Sequence, residues 1–182
     1  MLRVYLAGPD VFVTQPEQRG ALLKRICVEA GLRPVFPLDP APDPDRPVAS
    51  LAARIALGNE AHIRGCNAVI ANLTPFRGPG ADAGTVYEVG FARALGLVVF
   101  GWSESIEPYA DRCSALDRGA ARHEDGRLRD SDGQEIEEFG LPDNLMIACG
   151  IEFSGGRVFT GPNLEGFKQC VERLSGSTQK DA

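Results

Sequence analysis

Two acidic residues are the groups in this sequence that are best placed to do chemistry on a small molecule. Asp82 lies in a loop rich in glycine and proline, and Glu88 follows in the first turns of a helix-like segment. The unpaired N–H groups at a helix N-terminus favour the ionised form of a nearby carboxylate. An ionised carboxylate that faces a crevice is a candidate nucleophile or base, although a solvated acid that only caps a helix is the commoner arrangement.

Several familiar catalytic patterns are absent. The sequence has no G-x-x-x-x-G-K-[ST] loop, no G-x-G-x-x-G after its first strand and no G-x-S-x-G elbow. Its two histidines, His62 and His123, make a histidine-based triad or a zinc site improbable. Carboxylates, amides and Tyr5 remain for a pocket. These groups suit chemistry at a sugar carbon, because a carboxylate can stabilise or trap the oxocarbenium-like transition state of a glycosidic bond.

The elements that must position these groups follow an alternating pattern. Short apolar segments predict strands at residues 3–7, 34–38, 68–73, 97–101 and 157–159. Helical spacing predicts helices at residues 15–30, 48–66 and 164–174. A further helix-like segment follows Asp82 and ends near residue 95. This order predicts an α/β fold, namely a doubly wound, flavodoxin-like, five-stranded parallel sheet with helices on both faces. The loop that carries Asp82 would then lie at the carboxyl end of a strand, where such sheets bind ligands.

Residues 111–140 interrupt the alternation. They are rich in charged and turn residues, and their Asp-Gly pairs at positions 125–126 and 132–133 are typical of hairpin turns. We therefore expect a surface excursion with one small hairpin. A short helix is expected to open at Leu141, with Pro142 in its first turn and Asn144 as a possible capping or solvent-facing residue.

Length and composition limit the class of protein. A chain of 182 residues predicts one domain over residues 1–175 and a polar tail over residues 176–182. The net charge of −6 argues against a nucleic-acid partner. No apolar run reaches the length of a membrane span, and no signal-peptide pattern is present, so no membrane partner is expected. Five scattered cysteines without a C-x-x-C pair indicate reduced thiols in a cytoplasmic protein and no metal site.

Four sequence motifs, taken together, resemble the nucleoside 2-deoxyribosyltransferase family. They are YLAGP at residues 5–9, AVIANL at 68–73, DAGTVYEVGFA at 82–92 and DNLM at 143–146. The D-x-G-x-x-x-E-x-G-x-A pattern is the specific part, and the resemblance extends roughly from residue 2 to residue 159. It implies transfer of a 2-deoxyribosyl group between nucleobases, through a covalent deoxyribosyl-glutamate with retention at C1′ and without a cofactor.

The resemblance assigns a role to each matching residue. Glu88 matches the nucleophile that attacks C1′ of the deoxyribose, and Tyr5 matches the tyrosine whose hydroxyl orients it. Asp82 matches an aspartate at the 5′-hydroxyl and base end of the nucleoside. Asn144 matches an asparagine that reaches the 5′-hydroxyl from a neighbouring subunit. The partners implied are a deoxynucleoside, a free nucleobase and a second copy of the chain in a homo-oligomer that is at least a dimer.

Four further residues are implied in substrate binding on weaker grounds. Gly8 belongs to the turn after the first strand, and Phe12 would lie against the base, although a lone aromatic residue is more often part of the core. Asn59 falls where some members have a base-contacting aspartate, a departure that affects proton delivery to the leaving base and base preference. Asp39 is the nearest polar candidate for a glutamine that some members place after the second strand.

Two other functions are compatible with the sequence. In a hydrolase, water would resolve the deoxyribosyl-enzyme, and relatives that cleave nucleoside 5′-monophosphates look similar around the catalytic glutamate. Those relatives tend to have a small hydroxyl residue where this chain has Asp82, whose charge would repel a phosphate. The other function is a non-catalytic nucleotide sensor on the same scaffold, which a fold alone does not exclude.

Overall fold

The computed structural model describes residues 1–44, 47, 48 and 50–178. Its central sheet consists of five parallel strands: β1 (Arg3–Ala7), β2 (Arg33–Val35), β3 (Ala68–Asn72), β4 (Val98–Ser103) and β7 (Val158–Thr160). A separate hairpin pairs β5 (Ala121–Arg122) with β6 (Leu128–Arg129). The sheet order is β2-β1-β3-β4-β7, which is the flavodoxin-like order of doubly wound sheets and confirms the predicted fold class.

Helices cover both faces of this sheet. The helices are α1 (Pro16–Glu29), α2 (Leu51–Arg64), α3 (Ala83–Ala94), α4 (Tyr109–Leu116), α5 (Leu145–Phe153) and α6 (Glu165–Thr178). Buried residues of α1 and α6 share one apolar cluster with the sheet, and buried residues of α2, α3 and α5 share the other. No helix in the described part of the chain has the length and apolar character that crossing a membrane requires.

The alternation of side chains along β1 decides which helices Tyr5 meets. Val4 and Leu6 pack in the cluster with α1 and α6, whereas Tyr5 and Ala7 pack in the cluster with α2, α3 and α5. Successive side chains of a strand point to opposite faces of its sheet, so a shift of one residue would move Tyr5 to the other face. The sequence of β1 therefore directs the Tyr5 hydroxyl toward the helix that carries Glu88.

The carboxyl ends of β1 and β3 form the topological switch point of the sheet. The chain leaves β1 for a neighbour on one side and leaves β3 for a neighbour on the other. Gly8 follows β1 directly, and a Cβ atom at this position would lie 2.7 Å from Cβ of Asn72 and 2.7 Å from Oδ2 of Asp10. Only glycine permits this close approach, which brings the two strand ends together at the place where doubly wound sheets bind ligands.

Some boundaries differ from the prediction. Helix α2 begins at Leu51 rather than at residue 48, because the Ser50 hydroxyl caps it by accepting a hydrogen bond from the Ala53 N–H at 3.1 Å. Asn144 caps α5, so Pro142 precedes that helix and does not lie in its first turn. Helix α6 continues to residue 178 instead of ending at residue 174, and residues 179–182 of the predicted polar tail lie outside the described residues.

The predicted excursion contains the hairpin, which confirms that prediction, but it also contains part of an unpredicted helix. Helix α4 occupies the beginning of the excursion and buries Ala110 and Arg112. An arginine is rarely buried unless it is paired. The charged sequence of this segment therefore predicted a surface position, whereas Arg112 is buried. Arg112 contacts the loop before α3 by donating a hydrogen bond to the Pro79 carbonyl oxygen.

Candidate active site

Glu88 lies in the second turn of α3, and only 8% of its surface is exposed. The fully buried Tyr5 donates its hydroxyl proton to Oε1 of Glu88 at 2.7 Å. The amide of Asn59, on α2, donates to the same oxygen at 3.2 Å. Within the described residues no hydrogen bond reaches Oε2. One carboxylate oxygen is thus held in place by two donors, and the other is available for a ligand.

A cavity of about 260 Å³ lies between α2 and α3 and includes Glu88 in its wall. The surface of this cavity is mostly apolar, with a few polar groups. The residues that line it are Ile55, Ala56, Asn59, Glu60, Ile63, Gly84, Tyr87 and Glu88. Small-molecule sites are commonly apolar concavities with a few converging polar groups. The cavity thus brings together Glu88 and Asn59 from the predicted site residues, and Tyr5 supports Glu88 from the sheet.

Burial dominates the acidity of Glu88. It raises the pKa of Glu88 from 4.5 to about 7, the hydrogen bonds from Tyr5 and Asn59 oppose this rise, and the charge of Asp82 adds to it. The hydrogen bond from Tyr5 thus favours the ionised form of Glu88, but burial of the carboxylate outweighs it. Glu88 is about half ionised near neutral pH, which is the range in which a carboxyl group can act as a nucleophile and also leave again.

The phenol of Tyr5 remains neutral beside this carboxylate. Burial, and then the negative charge of Glu88, raise the pKa of Tyr5 well above its usual value. A neutral phenol is a hydrogen-bond donor to an ionised carboxylate. Tyr5 can therefore orient Glu88 at every pH in the physiological range without exchanging its own proton.

Asp82 is the N-cap of α3. Its Oδ2 atom accepts hydrogen bonds from the Thr85 N–H at 2.9 Å and from the Thr85 hydroxyl at 3.1 Å. Of the two roles considered for this acid, helix capping and chemistry on a ligand, the Oδ2 atom has the capping role. In the described part of the chain no hydrogen bond reaches Oδ1, so the same carboxylate can cap the helix and accept a hydrogen bond from a ligand.

Two buried charged residues fix the loop that precedes α3. Arg112 donates to the carbonyl oxygens of Pro79 at 2.7 Å, of Pro142 at 2.8 Å and of Glu107. Oδ2 of Asp143 accepts a hydrogen bond from the Ala81 N–H at 3.0 Å and lies 3.9 Å from the Arg112 guanidinium. Sequence reasoning missed both residues. Asp143 belongs to a matching motif, which could have indicated it, whereas Arg112 stands in a charged segment and gives no such signal.

Asn144 is placed at the N-terminus of α5. Its Oδ1 atom accepts a hydrogen bond from the Met146 N–H at 2.9 Å, and its amide donates to Oε1 of Glu137 at 2.6 Å. Within the described residues of this single chain, no hydrogen bond joins Asn144 to Tyr5, Glu88 or Asp82. The fold of one chain therefore places Asn144 on a capping position and does not bring it into contact with the Glu88 carboxylate.

Phe12 is not a core residue, because 59% of its surface is exposed. Its ring stacks on Phe76 at 5.4 Å between centroids, and the Arg77 guanidinium lies over both rings. The two phenylalanines line a second cavity, of about 210 Å³, at the carboxyl ends of β1 and β3. Buried Asp10 forms part of its wall and binds Arg19 at 2.7 Å. Phe12 is thus at the switch point, outside the cavity that contains Glu88.

The carboxylate of Asp39 is occupied by hydrogen bonds within the chain. Its carboxylate accepts hydrogen bonds from Lys24 at 2.6 Å and from the Phe36 N–H at 2.9 Å. Burial favours a higher pKa for Asp39, but these hydrogen bonds outweigh it and lower the pKa. Its carbonyl oxygen lies 3.1 Å from Nε2 of His62, which is buried and stacks on Tyr5 at 6.4 Å between centroids. Asp39 therefore reaches the Glu88 site only through His62.

The described part of the chain contains no cluster of side chains that is typical of a metal site. No group of three or more His, Cys, Asp or Glu side chains is arranged there to hold a metal ion. The groups that converge on the cavity are instead one carboxylate with its two hydrogen-bond donors. Such a group can attack an electrophilic carbon and form a covalent intermediate.

Comparison with known proteins connects this geometry to a family. The family model described as nucleoside 2-deoxyribosyltransferase matches residues 4–146. An uncharacterised protein of Schizosaccharomyces pombe is 28% identical over 185 residues, which cover 94% of this chain and 88% of that protein.

Two solved structures have a similar fold. One is a 2-deoxyribosyltransferase from Leishmania mexicana, which is 29% identical with a TM-score of 0.67, over 94% of this chain and 98% of the other. The other is a conserved protein from Enterococcus faecalis, which is 22% identical with a TM-score of 0.59, over 96% and 99% of the two chains.

Proposed function

Because this chain belongs to the nucleoside 2-deoxyribosyltransferase family, we propose that it transfers the 2-deoxyribosyl group of a deoxynucleoside from one nucleobase to another. The family acts on nucleosides and nucleobases. The observation that carries the proposal for this chain is the Glu88 carboxylate, which has Oε1 held by Tyr5 and Asn59 and Oε2 free beside a cavity.

The reaction that this carboxylate supports consists of two displacements at C1′. Oε2 of ionised Glu88 attacks C1′ and forms a C–O bond, while the C1′–N bond breaks and the base departs with the electron pair and takes up a proton. A nitrogen of the second base then attacks C1′ and loses its proton, and Glu88 leaves as a carboxylate. Two inversions give retention at C1′, as in retaining glycosidases.

The acidity of Glu88 suits both displacements. A carboxylate with a pKa of about 7 is a better nucleophile than an ordinary glutamate and is still an adequate leaving group in the second step. Tyr5 donates to Oε1 throughout. Asn59, whose amide is not an acid at neutral pH, serves in this proposal to hold Glu88 rather than to protonate the departing base.

The 5′ end of the substrate would meet two polar groups. Oδ1 of Asp82 can accept a hydrogen bond from a 5′-hydroxyl. In a homo-oligomer that is at least a dimer, Asn144 of a neighbouring subunit would donate a hydrogen bond to the same hydroxyl. A 5′-phosphate would be repelled by Asp82 by about 4 kcal/mol in a partly buried site. This repulsion favours deoxynucleosides over 5′-monophosphates. Gly8 and Asp39 stay predicted substrate-binding residues, and Phe12 would lie against the base.

A chromatographic assay tests the proposal directly. The protein is incubated with 2′-deoxyinosine, with and without free cytosine or adenine. Formation of the deoxynucleoside of the added base supports the transferase. Release of hypoxanthine at the same rate without an acceptor, and no new nucleoside with it, would instead identify a hydrolase. No reaction in either tube would direct the assay to 5′-monophosphates, and failure there would favour a nucleotide sensor.

Tyr5→Phe is expected to shift the pH dependence of the reaction. The variant lacks the hydrogen bond that stabilises ionised Glu88, so the pKa of Glu88 rises further. A hydrogen bond to a charged group contributes about 1.5–3 kcal/mol, so the acid limb of the pH profile of kcat/KM should move upward by about one to two pH units.

Tyr87→Phe is the matched control for this shift, because the Tyr87 hydroxyl binds Glu60 and not Glu88. Its acid limb should stay at the wild-type position. An acid limb that is unchanged in Tyr5→Phe would show that the Tyr5 hydroxyl does not control the ionisation of Glu88.

Mixed subunits should reveal whether Asn144 is shared between chains. Glu88→Ala and Asn144→Ala each impair every site of their own homo-oligomer. If Asn144 completes the site of a neighbour, equal mixing of the two variants regenerates about a quarter of the wild-type sites in a dimer. Activity of the refolded mixture, compared with the two variants alone, measures this. A mixture no more active than the average of the two would place Asn144 and Glu88 in the same chain's site.

A further inference from the structure

Glu137 makes two hydrogen bonds to the start of α5. Oε1 accepts from the Asn144 amide at 2.6 Å, and Oε2 accepts from the Leu145 N–H at 3.0 Å. A carboxylate that accepts through both oxygens from adjacent residues fixes their relative orientation, because rotation of either group would break a charge-assisted bond. Glu137 therefore acts as a clamp on the Asn144 side chain and on the backbone beside it.

The two ends of the Asn144 amide are used differently. Oδ1 caps α5 through the Met146 N–H, and this bond alone satisfies the usual capping geometry. The second bond, from Nδ2 to Glu137, contributes nothing to that cap but determines which way the amide plane faces. An asparagine amide carries two N–H donors and two acceptor lone pairs. One N–H and one lone pair therefore remain, in a fixed direction, for a ligand.

Glu137 reaches this position because the hairpin of the charged excursion carries it. The residue before it, Ile136, donates its N–H to the carbonyl of Leu128 in β6 at 2.9 Å, and Glu135 forms a bridge with Arg129 of the same strand. This pairing anchors the chain immediately before the clamp. The hairpin thus has a definite structural consequence at the N-terminus of α5, although it lies outside the central sheet.

We propose that Glu137 is a positioning residue that orients the Asn144 amide toward the 5′-hydroxyl of the deoxynucleoside, so that the hairpin of β5 and β6 and the turn that follows it to residue 136 contribute to substrate recognition. The inference rests on the proposed function, in which Asn144 binds that hydroxyl. It assigns the charged excursion a part in positioning the substrate, exerted through Asn144 at the site of a neighbouring subunit.

The experiment compares two substrates that differ only in the group that Asn144 would bind. These are 2′-deoxyinosine and 2′,5′-dideoxyinosine, which lacks the 5′-hydroxyl, each with adenine as acceptor. Glu137→Ala should lower kcat/KM for 2′-deoxyinosine roughly tenfold, since it removes one well-oriented hydrogen bond. With 2′,5′-dideoxyinosine the same variant should match the wild type, because there is no hydroxyl to lose. In an Asn144→Ala background, Glu137→Ala should have no further effect.

Glu138→Ala is the matched control. Glu138 is the next residue of the same segment, but its carboxylate pairs with Arg122 at 2.6 Å and not with Asn144. It should leave both substrates unaffected. Equal losses with both substrates in Glu137→Ala, or no loss with either, would overturn the positioning role. Absence of base exchange by the wild-type protein would overturn the proposed function itself, which distinguishes the two failures.

Discussion

Replacement of Glu88 by alanine is expected to lower the rate of base exchange by about 10⁴-fold or more, while nucleoside binding is largely retained. Glu88 supplies the atom that forms the covalent bond in the proposed mechanism, and within the described residues no other carboxylate occupies its position between Tyr5 and Asn59. The cavity walls and Asp82 remain in the variant, so binding does not depend on the lost group. A nucleotide sensor would show no such separation, because it has no turnover to lose.

Glu88→Gln should be equally inactive but more stable than the wild type at neutral and alkaline pH. The folded-state pKa of Glu88 is about 7 against an ordinary value of 4.5, so ionisation in the folded protein costs about 3 kcal/mol. The stabilising contribution of the protonated group is fully present below pH 4.5 and is lost as the pH rises through 7. Glutamine avoids this loss, so the stability difference should grow from about zero at pH 4.5 to its maximum above pH 7.

Urea unfolding of the wild type and Glu88→Gln across this pH range measures the difference. Glu152→Gln is the control, because Glu152 is an exposed acid on α5. The stability difference between this variant and the wild type should change little with pH. Retention of base exchange by either Glu88 variant would refute the mechanism. A stability difference that does not depend on pH would mean that Glu88 is not held in an environment that raises its pKa.

The parts of this site that follow from local rules could be predicted from sequence. The apolar segments predicted the five strands of the sheet. The loop-to-helix transition at Asp82 placed Glu88 in the first turns of that helix. Each of these conclusions depends on neighbouring residues only, which is why the pattern of the sequence was sufficient.

The features that the sequence did not indicate depend on contacts between distant residues. Nothing local indicates that the Asn144 amide would be held by Glu137, or that the Asp39 carboxylate would bind Lys24. The net rise in the pKa of Glu88 is also non-local, since it comes from the amount of protein that surrounds the carboxylate in the fold. These features become visible only when α2, α3 and the excursion are packed together.

Arg112 is the clearest of these non-local features, and Arg112→Ala is expected to destabilise the fold by about 3–5 kcal/mol. The variant removes donors to the carbonyl groups of Pro79, Glu107 and Pro142, and it leaves the buried carboxylate of Asp143 without its positive neighbour. A loss of this size corresponds to a fall in Tm of about 6–20 °C for a chain of this length. Base exchange should also slow in the folded variant, because the loop before α3 loses the bonds that fix it.

The pH dependence of this loss identifies its cause. Burial already raises the pKa of Asp143, and removal of the guanidinium should raise it further. The extra penalty applies to the ionised form, so the difference between Arg112→Ala and the wild type should be largest at neutral pH and should shrink as the pH falls through the raised pKa of Asp143.

Arg122→Ala provides the comparison, since Arg122 also pairs with a carboxylate in the excursion but is exposed to solvent. Surface ion pairs contribute little, so the Tm of Arg122→Ala should remain near that of the wild type. Equal and small effects of the two substitutions would mean that the loop before α3 is held by the sheet and helices alone. A large loss confined to Arg112→Ala would instead show that the charged excursion, through one buried arginine, maintains the loop from which α3 begins.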